Sequence, residues 1–519
     1  MTALLILSLG TARAELPEVL TDSAEMADLL ERIAEADPRF KLETIGQSVE
    51  GKDLLAIRVS PKTRMAIRGK VLLIGAQHGH EHAGKEAILE LLGDLASGEE
   101  QLPPGVELWA VPMANPDGVD KDQRRNANDF DLNRDHLILS QPETIALHKL
   151  VQRERPNIIV DCHEFTRDSK SYTDKGWGEW PLIMMDGANS PLLPMPQLQV
   201  QQLAHDRAMQ RMSDAGINYQ RYVVGGPPPN AELRYSTLDP DDARNGLSFY
   251  GGLGFIIESG IHRSADQPQA DLDERIAAYS LLLDLFVKDE LIAGFVNDQV
   301  TRLELHDRIP VNAMWTQWPP HYSREPPKQP LPARDYPVID LNTGETLQVP
   351  AYNFASFIAV KKYVTKPAVY AVLPEHADAY AELLDRHAVR YDRLETTRTV
   401  TAETAYLERI EDDFDPIYER YGGRQIVRVE AEAAFDLPAG SLWIDLQELA
   451  SGRPMRAEPK PDLTIPPLNE LAQAEPMMAR RAIKVLEPQQ LYGLYQWPQW
   501  VATVGEDGRI PVVRVMSTD

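Results

Sequence analysis

The sequence predicts an α/β fold in which a mixed, largely parallel central sheet carries helices on both faces, followed by a smaller α+β part. Short apolar runs typical of buried strands alternate with amphipathic helical patterns between residues 20 and 300. Polar residues directly follow several of these runs, as expected where ligands bind at the carboxyl ends of parallel strands. A proline-rich stretch then interrupts the alternation and indicates a boundary.

The individual elements are predicted from their periodicity and their ends. Asp22 and Ser23 precede a segment with apolar residues at helical spacing, so a helix is expected from residue 23. A continuous apolar run at 71–74 is typical of a buried strand, and Gly98 ends the amphipathic helix that follows. The other predicted strands are 54–59, 106–112, 158–162 and 253–257, and the other predicted helices are 142–155, 197–215 and 270–296.

The length of the chain predicts more than one domain, because 519 residues exceed what a single hydrophobic core usually supports. Seven prolines lie between Pro319 and Pro337. Beyond them, strand–helix–strand is expected over 367–394, with further strands at 425–433 and 441–446. The expected division is a signal peptide at 1–14, an α/β domain at 15–300, a Pro-rich linker or excursion at 301–340 and an accessory α+β domain at 341–519.

Composition excludes several classes of partner. The net charge of −26 argues against nucleic acid and against an anionic membrane surface. The apolar run Ala3–Leu9 is too short to span a bilayer, but with the Ala12-Arg13-Ala14 pattern it indicates a signal peptide that lacks a basic start. Since Cys162 is the single cysteine, no intramolecular disulfide forms, and a bacterial periplasmic or secreted location is expected. Cys162 is interpreted as a buried structural thiol.

Two apolar runs each deliver candidate metal ligands. The segment Lys70–Glu81 places His78 and Glu81 three residues apart after a strand, and His163 directly follows the strand at 158–162. Two histidines and a carboxylate fit a catalytic zinc site, which takes three protein ligands and leaves one position open. His80 and His82 are alternative candidate ligands in the same segment. Because they neighbour His78 and Glu81, they are expected to lie beside the metal ion without binding it.

Four stretches in the same order carry a resemblance to a family. QHGHEHAGKEA, NPDGVDKDQRRNANDFDLNRD, VDCHEF and GFIIES together resemble the zinc metallocarboxypeptidases of the carboxypeptidase A-like family, over roughly residues 20–300. The later part of the chain is similar to extensions of some bacterial members. The resemblance implies that His78, Glu81 and His163 bind one zinc ion and that 15–300 is the catalytic domain. It also implies that Glu258, at the end of an apolar strand, is the general base.

The resemblance assigns substrate contacts as well. Asn133 and Arg134 correspond to the clamp for the substrate's terminal carboxylate, which suits a guanidinium because it binds carboxylates with two hydrogen bonds. Arg124 corresponds to the arginine that polarises the scissile carbonyl, with Arg125 as the alternative. Asp161 and Glu164 are less favoured candidates for the base. Asp161 is also a candidate for orienting a metal ligand, and a surface charge is an equal interpretation of Glu164.

Two further features of the family have several candidates here. The tyrosine that closes over the substrate is best matched by Tyr235, with Tyr250 and Tyr222 as alternatives. Ala243, Arg244 and Asn245 lie where family members shape the specificity pocket. Arg244 would favour an acidic C-terminal side chain, and a surface ion pair is the competing interpretation.

The function implied by the resemblance is zinc-dependent hydrolysis of the C-terminal peptide bond of peptides with a free carboxylate, by attack of zinc-bound water. The alternative is a related zinc amidohydrolase acting on cell-wall peptides or on N-acyl amino acids. A third hypothesis, from another class, is a degenerate member retained as a binding module, which the presence of all three ligands and the base disfavours.

Overall fold

A computed structural model describes residues 20–62, 66–262, 268–288, 306–319, 332–410, 414–415, 420–421, 425–450, 468–490 and 494–517. The expected signal peptide at 1–14 lies outside the described residues. Among the helices within these ranges, none combines the length and the apolarity that a membrane crossing requires.

The first part of the chain alternates strands and helices. Its helices are α1 (Ser23–Ala36), α2 (Ala83–Ser97), α3 (Pro116–Val119), α4 (Pro142–Glu154), α5 (Lys170–Thr173), α6 (Met195–Asp214), α7 (Ala243–Ser248) and α8 (Pro268–Lys288). Its strands are β1 (Phe40–Gln47), β2 (Asp53–Val59), β3 (Gly69–Ile74), β4 (Val106–Val111), β5 (Ile158–Thr166), β6 (Trp177–Glu179), β7 (Ile183–Gly187), β8 (Tyr219–Arg221), β9 (Val223–Gly225), β10 (Leu233–Tyr235) and β11 (Leu253–Ile261).

The central sheet has eight strands in the order β1-β2-β4-β3-β5-β11-β7-β8. Its middle is parallel, because β3 pairs in parallel with both β4 and β5, and β11 pairs in parallel with β5. The strands on either side of this middle, β2 and β7, pair with it in antiparallel orientation. The predicted mixed, largely parallel sheet is confirmed.

Both faces of the sheet are covered, which explains why the central strands are largely apolar. Successive residues of a strand point to opposite faces, so Leu73 packs into one core with α2 and α8, while Leu72 packs into the other with α4 and α7. The helix predicted from residue 23 also joins the larger core, through Met26, Leu30 and Ile33. Two buried faces leave the strand ends as the places where polar groups reach solvent.

The later part of the chain is built mainly from antiparallel strands. Its strands are β12 (Arg308–Thr316), β13 (Arg334–Asp340), β14 (Thr346–Ala351), β15 (Phe354–Ala355), β16 (Phe357–Thr365), β17 (Val369–Val372), β18 (Asp392–Arg393), β19 (Arg398–Ile410), β20 (Phe414–Asp415), β21 (Arg420–Tyr421), β22 (Gln425–Leu437), β23 (Leu442–Asp445) and β24 (Arg509–Ser517). Its helices are α9 (Ala377–Arg386), α10 (Leu446–Ala450), α11 (Leu468–Leu486) and α12 (Pro498–Val501). A six-stranded sheet runs β18-β23-β17-β24-β19-β22.

Strands of the later part also pair with strands of the first part. β13 pairs with β6, and β15 pairs in parallel with β10. The range 301–340, expected as a Pro-rich linker or excursion, therefore contains the strands β12 and β13, while its prolines between 320 and 331 lie outside the described residues. Helix α11 lies against the first part, where the Arg480 guanidinium donates to the Leu192 carbonyl at 2.6 Å.

Candidate active site

The parallel strands bring the predicted site residues together. His163 lies in β5 and Glu258 lies opposite it in β11, while His78 follows the end of the neighbouring strand β3. Carboxyl ends of parallel strands meet at one edge of a sheet, so residues far apart in sequence become neighbours there. The loop that carries His78 runs close to the turn at 115–118, since a Cβ on Gly79 would lie 2.0 Å from the carbonyl carbon of Gly118.

Three side chains converge and form a group of potential metal ligands. One ligand atom each from His78, Glu81 and His163 can be chosen so that all lie within 4.8 Å of one another. The two Nδ1 atoms are 3.0 Å apart, and the Glu81 carboxylate lies 2.8 Å from His78 Nδ1 and 2.9 Å from His163 Nδ1. All three residues are buried. The arrangement brings together two imidazoles and one carboxylate, which is a donor set that zinc prefers.

A second carboxylate stands behind each histidine. His78 Nε2 lies 3.0 Å from Asp131, and His163 Nε2 lies 2.6 Å from Asp161. Because a carboxylate only accepts, each histidine would keep its proton on Nε2 when a metal ion occupies Nδ1. Carboxylate partners of this kind orient metal-binding histidines in many proteins.

The charges of this cluster fit a divalent cation. Burial would raise the pKa of Glu81, but the charges of His78 and His163 hold that pKa well below its usual range. Burial would likewise lower the pKa of His163, yet Asp161 and Glu81 raise it well above its usual value. The three buried carboxylates of Glu81, Asp131 and Asp161 thus surround the two imidazoles. A dication would balance the excess negative charge, so the residues present fit a bound metal.

The structure distinguishes between the two candidate arginines. Arg124 donates from Nε to Asp131 at 3.1 Å, and its Nη1 lies 3.2 Å from His78 Nδ1. Its side chain remains 41% exposed, so it borders both the ligand group and solvent. Arg125 instead donates to the Asp129 carbonyl at 2.7 Å. Arg124 is therefore the arginine at the ligand group.

The predicted carboxylate clamp lies beside the same group. Asn133 is buried, its side-chain oxygen accepts from the Ala243 amide at 2.8 Å, and its amide nitrogen lies 3.1 Å from His163 Nε2. Arg134 is partly buried and donates to the Asn133 carbonyl at 2.7 Å. Burial raises the pKa of Asp131, but His78 lowers it. The charge of Arg134 also lowers it, and together these partners hold the pKa of Asp131 well below its usual range.

Glu258 has the environment of a general base. It is buried, and burial raises its pKa to about 7, with a further upward contribution from the Glu81 charge. The charges of His163 and His78 oppose that rise, and the Tyr222 side chain makes a smaller contribution in the same direction. A carboxyl group poised near neutral pH is suited to accept and return a proton.

The three candidate tyrosines have different places. Burial, and after it the charge of Glu258, raise the pKa of Tyr222, the last choice from the sequence, well above its usual value. Tyr235, the first choice, packs edge-on against Trp315 and Phe354, with the Arg221 guanidinium 3.9 Å from its ring centroid. Tyr250 is buried and bonds His148 at 2.8 Å. Tyr235 is thus held in an aromatic cluster, whereas Tyr222 is the candidate that interacts electrostatically with Glu258.

Residues 243–245 start helix α7 beside the clamp. Arg244 is 1% exposed and donates to Asp242 at 2.8 Å, to the Thr237 carbonyl at 2.7 Å and to the Ser236 hydroxyl. Asn245 accepts from the backbone amides of Asn189 and Ser190. The ion pair considered from the sequence is present, but it is buried and not on the surface. Arg244 therefore brings no unbalanced positive charge.

The remaining candidates have structural partners. His82 lies immediately before α2, and its Nε2 is 3.0 Å from Asp122. Neither His82 nor His80 is among the three converging ligands. Glu164, read equally as a surface charge, is buried, accepts from the Ala83 amide at 2.9 Å and pairs with Arg275. Cys162 is buried against α2, because a Cβ on Gly84 would lie 2.4 Å from the Cys162 Cβ.

Sequence reasoning missed the role of Asp131 and ranked Tyr222 last. Asp131 was visible only as part of the Asp-Leu-Asn-Arg motif, although a carboxylate two residues before the clamp is a signal for a histidine partner. Tyr222 carried no spacing signal, because it precedes Glu258 by a long irregular segment.

Fold and site together define an α/β protein with a candidate mononuclear metal centre at the carboxyl edge of its parallel strands. Residues 26–171 match the family model for zinc carboxypeptidases. Carboxypeptidase 2 of Trichophyton tonsurans is 30% identical over 211 residues, which cover 38% of this chain and 38% of that protein. Carboxypeptidase D of Mus musculus is 31% identical over 153 residues, covering 25% of this chain and 11% of that protein.

Among solved structures, a metallo-carboxypeptidase from Burkholderia cenocepacia aligns with 51% of this chain and 69% of its own, at 20% identity and a TM-score of 0.38. The family match over residues 26–171 and the curated relatives support the zinc carboxypeptidase family for this chain. It spans only 38% of the length of the curated relative named first. The family match includes His78, Glu81 and His163 but ends before Glu258.

Proposed function

We propose that the protein is a zinc-dependent metallocarboxypeptidase that hydrolyses the C-terminal peptide bond of peptides. The observation that carries the proposal is the convergence of His78, Glu81 and His163 with a buried glutamate, Glu258, in register beside one of them. The residues proposed for catalysis all lie between 78 and 258, in keeping with a catalytic domain at 15–300.

The roles follow from the chemistry of each group. His78, Glu81 and His163 would hold the zinc ion, which when bound supplies a Lewis acid and acidifies a water. Glu258 takes the proton of the attacking water and returns it to the leaving amine, for which a pKa near neutrality is suited. Tyr222 supports the ionised form of Glu258, since the Tyr222 side chain lowers the pKa of that carboxyl group.

The substrate is positioned by cations. The Arg124 guanidinium, partly exposed at the ligand group, donates to the carbonyl oxygen as negative charge develops on it. Arg134 binds the terminal carboxylate with Asn133 beside it, since a guanidinium and a carboxylate form paired charge-assisted hydrogen bonds. These contacts require a substrate with a free C-terminal carboxylate.

The proposal is tested by incubating the purified protein with a library of peptides that differ in their C-terminal residue. We expect release of single C-terminal amino acids, loss of release after treatment with a chelator, and recovery on addition of zinc. Muropeptides and N-acyl amino acids are assayed beside the peptides. Cleavage confined to those substrates would establish the related zinc amidohydrolase instead, and a protein without near-stoichiometric zinc would indicate a binding module.

Replacing Arg134 with alanine is expected to lower kcat/KM for peptides with a free carboxylate by roughly 10- to 100-fold, because hydrogen bonds to a charged group contribute about 1.5–3 kcal/mol. Peptides with an amidated C-terminus serve as the internal control, since they lack the charge that Arg134 binds. Steady-state kinetics on matched acid and amide peptides measures the difference. Equal losses on both would contradict the clamp.

Replacing Tyr222 with phenylalanine is expected to raise the pKa of Glu258, because the hydroxyl stabilises the carboxylate form. Glu258 must be ionised to act, so the acid limb of the kcat/KM profile should move to higher pH, by about half to one pH unit for one hydrogen bond. Bound zinc lowers the starting pKa in both proteins, so the difference between the two profiles is the quantity to measure. Tyr235→Phe is the matched control, expected to leave the acid limb in place.

A further inference from the structure

A series of buried hydrogen bonds leads away from the candidate metal ligand His163. Asp161 accepts from His163 Nε2 at 2.6 Å with one carboxylate oxygen and from the Gln77 amide at 2.8 Å with the other. The Gln77 side-chain oxygen lies 2.9 Å from His136 Nε2. His136 Nδ1 lies 3.0 Å from His148 Nε2.

The last member of this series of hydrogen bonds is Tyr250. His148 Nδ1 lies 2.8 Å from the Tyr250 hydroxyl, which also accepts from the Gln152 amide at 3.2 Å. Gln77, His136 and His148 are 0% exposed and Tyr250 is 3% exposed, so the described residues give these groups their polar partners in place of bulk water. None of the four residues Gln77, His136, His148 and Tyr250 takes part directly in the proposed hydrolysis.

The direction of every bond follows from the acceptor at the end. Asp161 only accepts, so Gln77 turns its NH2 group to Asp161 and its oxygen to His136, which must then donate from Nε2. Burial lowers the pKa of His136 to about 3, and burial also takes the pKa of His148 well below its usual range, so both rings are neutral. Each neutral ring donates from Nε2 and accepts at Nδ1, and Tyr250 donates to His148. All donors therefore point towards Asp161.

The later part of the chain closes this network from outside. The Lys484 ammonium of α11 donates to the His136 carbonyl at 2.9 Å, and the Arg481 guanidinium donates to the Phe249 carbonyl at 3.0 Å while lying 4.7 Å from the Tyr250 ring centroid. His387 Nε2, just after α9, donates to the Leu137 carbonyl at 2.7 Å. Two buried basic side chains thus donate to the backbone that carries the network.

We propose that Gln77, His136, His148 and Tyr250 are positioning residues that hold Asp161, and through Asp161 hold His163 with its proton on Nε2 and its Nδ1 available to a metal ion. The inference rests on the proposed function only in taking His163 as a metal ligand. Chains of aligned hydrogen bonds strengthen one another, so the far members contribute to the orientation of the ligand. Helix α11 covers the network and keeps it away from solvent.

The test is zinc affinity of the full-length protein, measured by competition with a chromophoric chelator. Replacing His136 with leucine removes the donor to Gln77, and we expect the zinc dissociation constant to rise by about 10-fold, the lower end of the effect of partners behind metal ligands. Replacing His136 with glutamine keeps an NH donor in the place of Nε2, and we expect affinity close to wild type. The visible spectrum of the cobalt-substituted protein should change with leucine and be restored with glutamine.

A milder pair of variants guards against failure of the leucine variant to fold. Tyr250→Phe removes one buried hydroxyl from the network, and Tyr380→Phe removes a buried hydroxyl that pairs with Tyr495 in the later part of the chain. Weaker zinc binding and an altered cobalt spectrum are expected in the first and not in the second. Unchanged affinity in both His136→Leu and Tyr250→Phe, or equal weakening in Tyr250→Phe and Tyr380→Phe, overturns the network. Absence of zinc binding by the wild-type protein would instead overturn the proposed function.

Discussion

Replacing Glu258 with glutamine is expected to reduce peptide hydrolysis by about 1,000-fold or more while zinc remains bound. The amide has the shape of the carboxylate but cannot accept the proton of water, and general acid–base catalysis contributes up to about 10,000-fold. A 1,000-fold loss corresponds to about 4 kcal/mol of transition-state stabilisation. Since Glu258 is not among the converging ligands, the metal content should stay at one zinc per chain.

Steady-state kinetics and elemental analysis on the same sample check this prediction. The matched control is Glu403→Gln, the same exchange at a carboxylate that pairs with Arg514 in the six-stranded sheet. This control should keep wild-type turnover. Hydrolysis by the Glu258 variant at the wild-type rate would remove Glu258 from the mechanism, and another group would have to be the base.

Replacing His163 with alanine is expected to abolish both zinc binding and hydrolysis. The change leaves two of three ligands and also deprives Asp161 and Glu81 of a buried partner. Ligand binding to the folded state stabilises a protein by about 4 kcal/mol when the free ligand exceeds its dissociation constant 1,000-fold. We therefore expect that zinc raises the melting temperature of the wild-type protein and leaves that of the variant unchanged.

Differential scanning calorimetry with and without zinc provides this measurement, and elemental analysis after dialysis gives the metal content. The pattern differs from that of Glu258→Gln, which should lose activity and keep the zinc-dependent rise in melting temperature. His205→Ala offers a control, because His205 is a buried histidine that lies near Asp186 and Tyr219 and not among the converging ligands. A His163 variant with a full zinc complement would refute the ligand assignment.

The ligand group was accessible to sequence reasoning because its geometry depends on the sheet. Once the apolar runs at 71–74, 158–162 and 253–257 are parallel neighbours, their ends must meet, and the polar residues that follow them must meet as well. The strand positions are set by short-range apolar patterns, which a single sequence displays directly. The strand ends therefore predict that His78, His163 and Glu258 lie close together, while the roles of the three residues follow from the resemblance.

Groups carried by irregular segments could not be predicted in the same way. Tyr222 and Tyr235 both lie in the segment between β7 and α7, where β8 pairs with β7, β9 pairs with β10, and β10 also pairs with β15 from the later part of the chain. Which tyrosine reaches Glu258 depends on those long-range pairings, and spacing in sequence carries no information about them. The same holds for Arg244, whose burial follows from its contacts with Ser236 and Thr237.

The buried network was out of reach for a different reason. His136 and His148 are isolated histidines in sequence, and nothing in their neighbours distinguishes a packed ring from a ligand. Their role becomes visible only when Gln77 and Asp161 stand between them and His163. Hydrogen-bond direction is a property of the assembled side chains and not of any one motif.

The contacts of α11 also set an order of events during synthesis. Lys484 follows Glu258 by 484 − 258 = 226 residues, which a ribosome adds in roughly 10–45 s at about 5–20 residues per second. Throughout that interval the ligands and the base already exist as covalent chain, while the His136 and Phe249 carbonyls still lack the donors from Lys484 and Arg481. The backbone that carries the buried network is therefore bonded by α11 only after these 226 residues have been added, so the candidate ligands are synthesised well before the helix that covers the network.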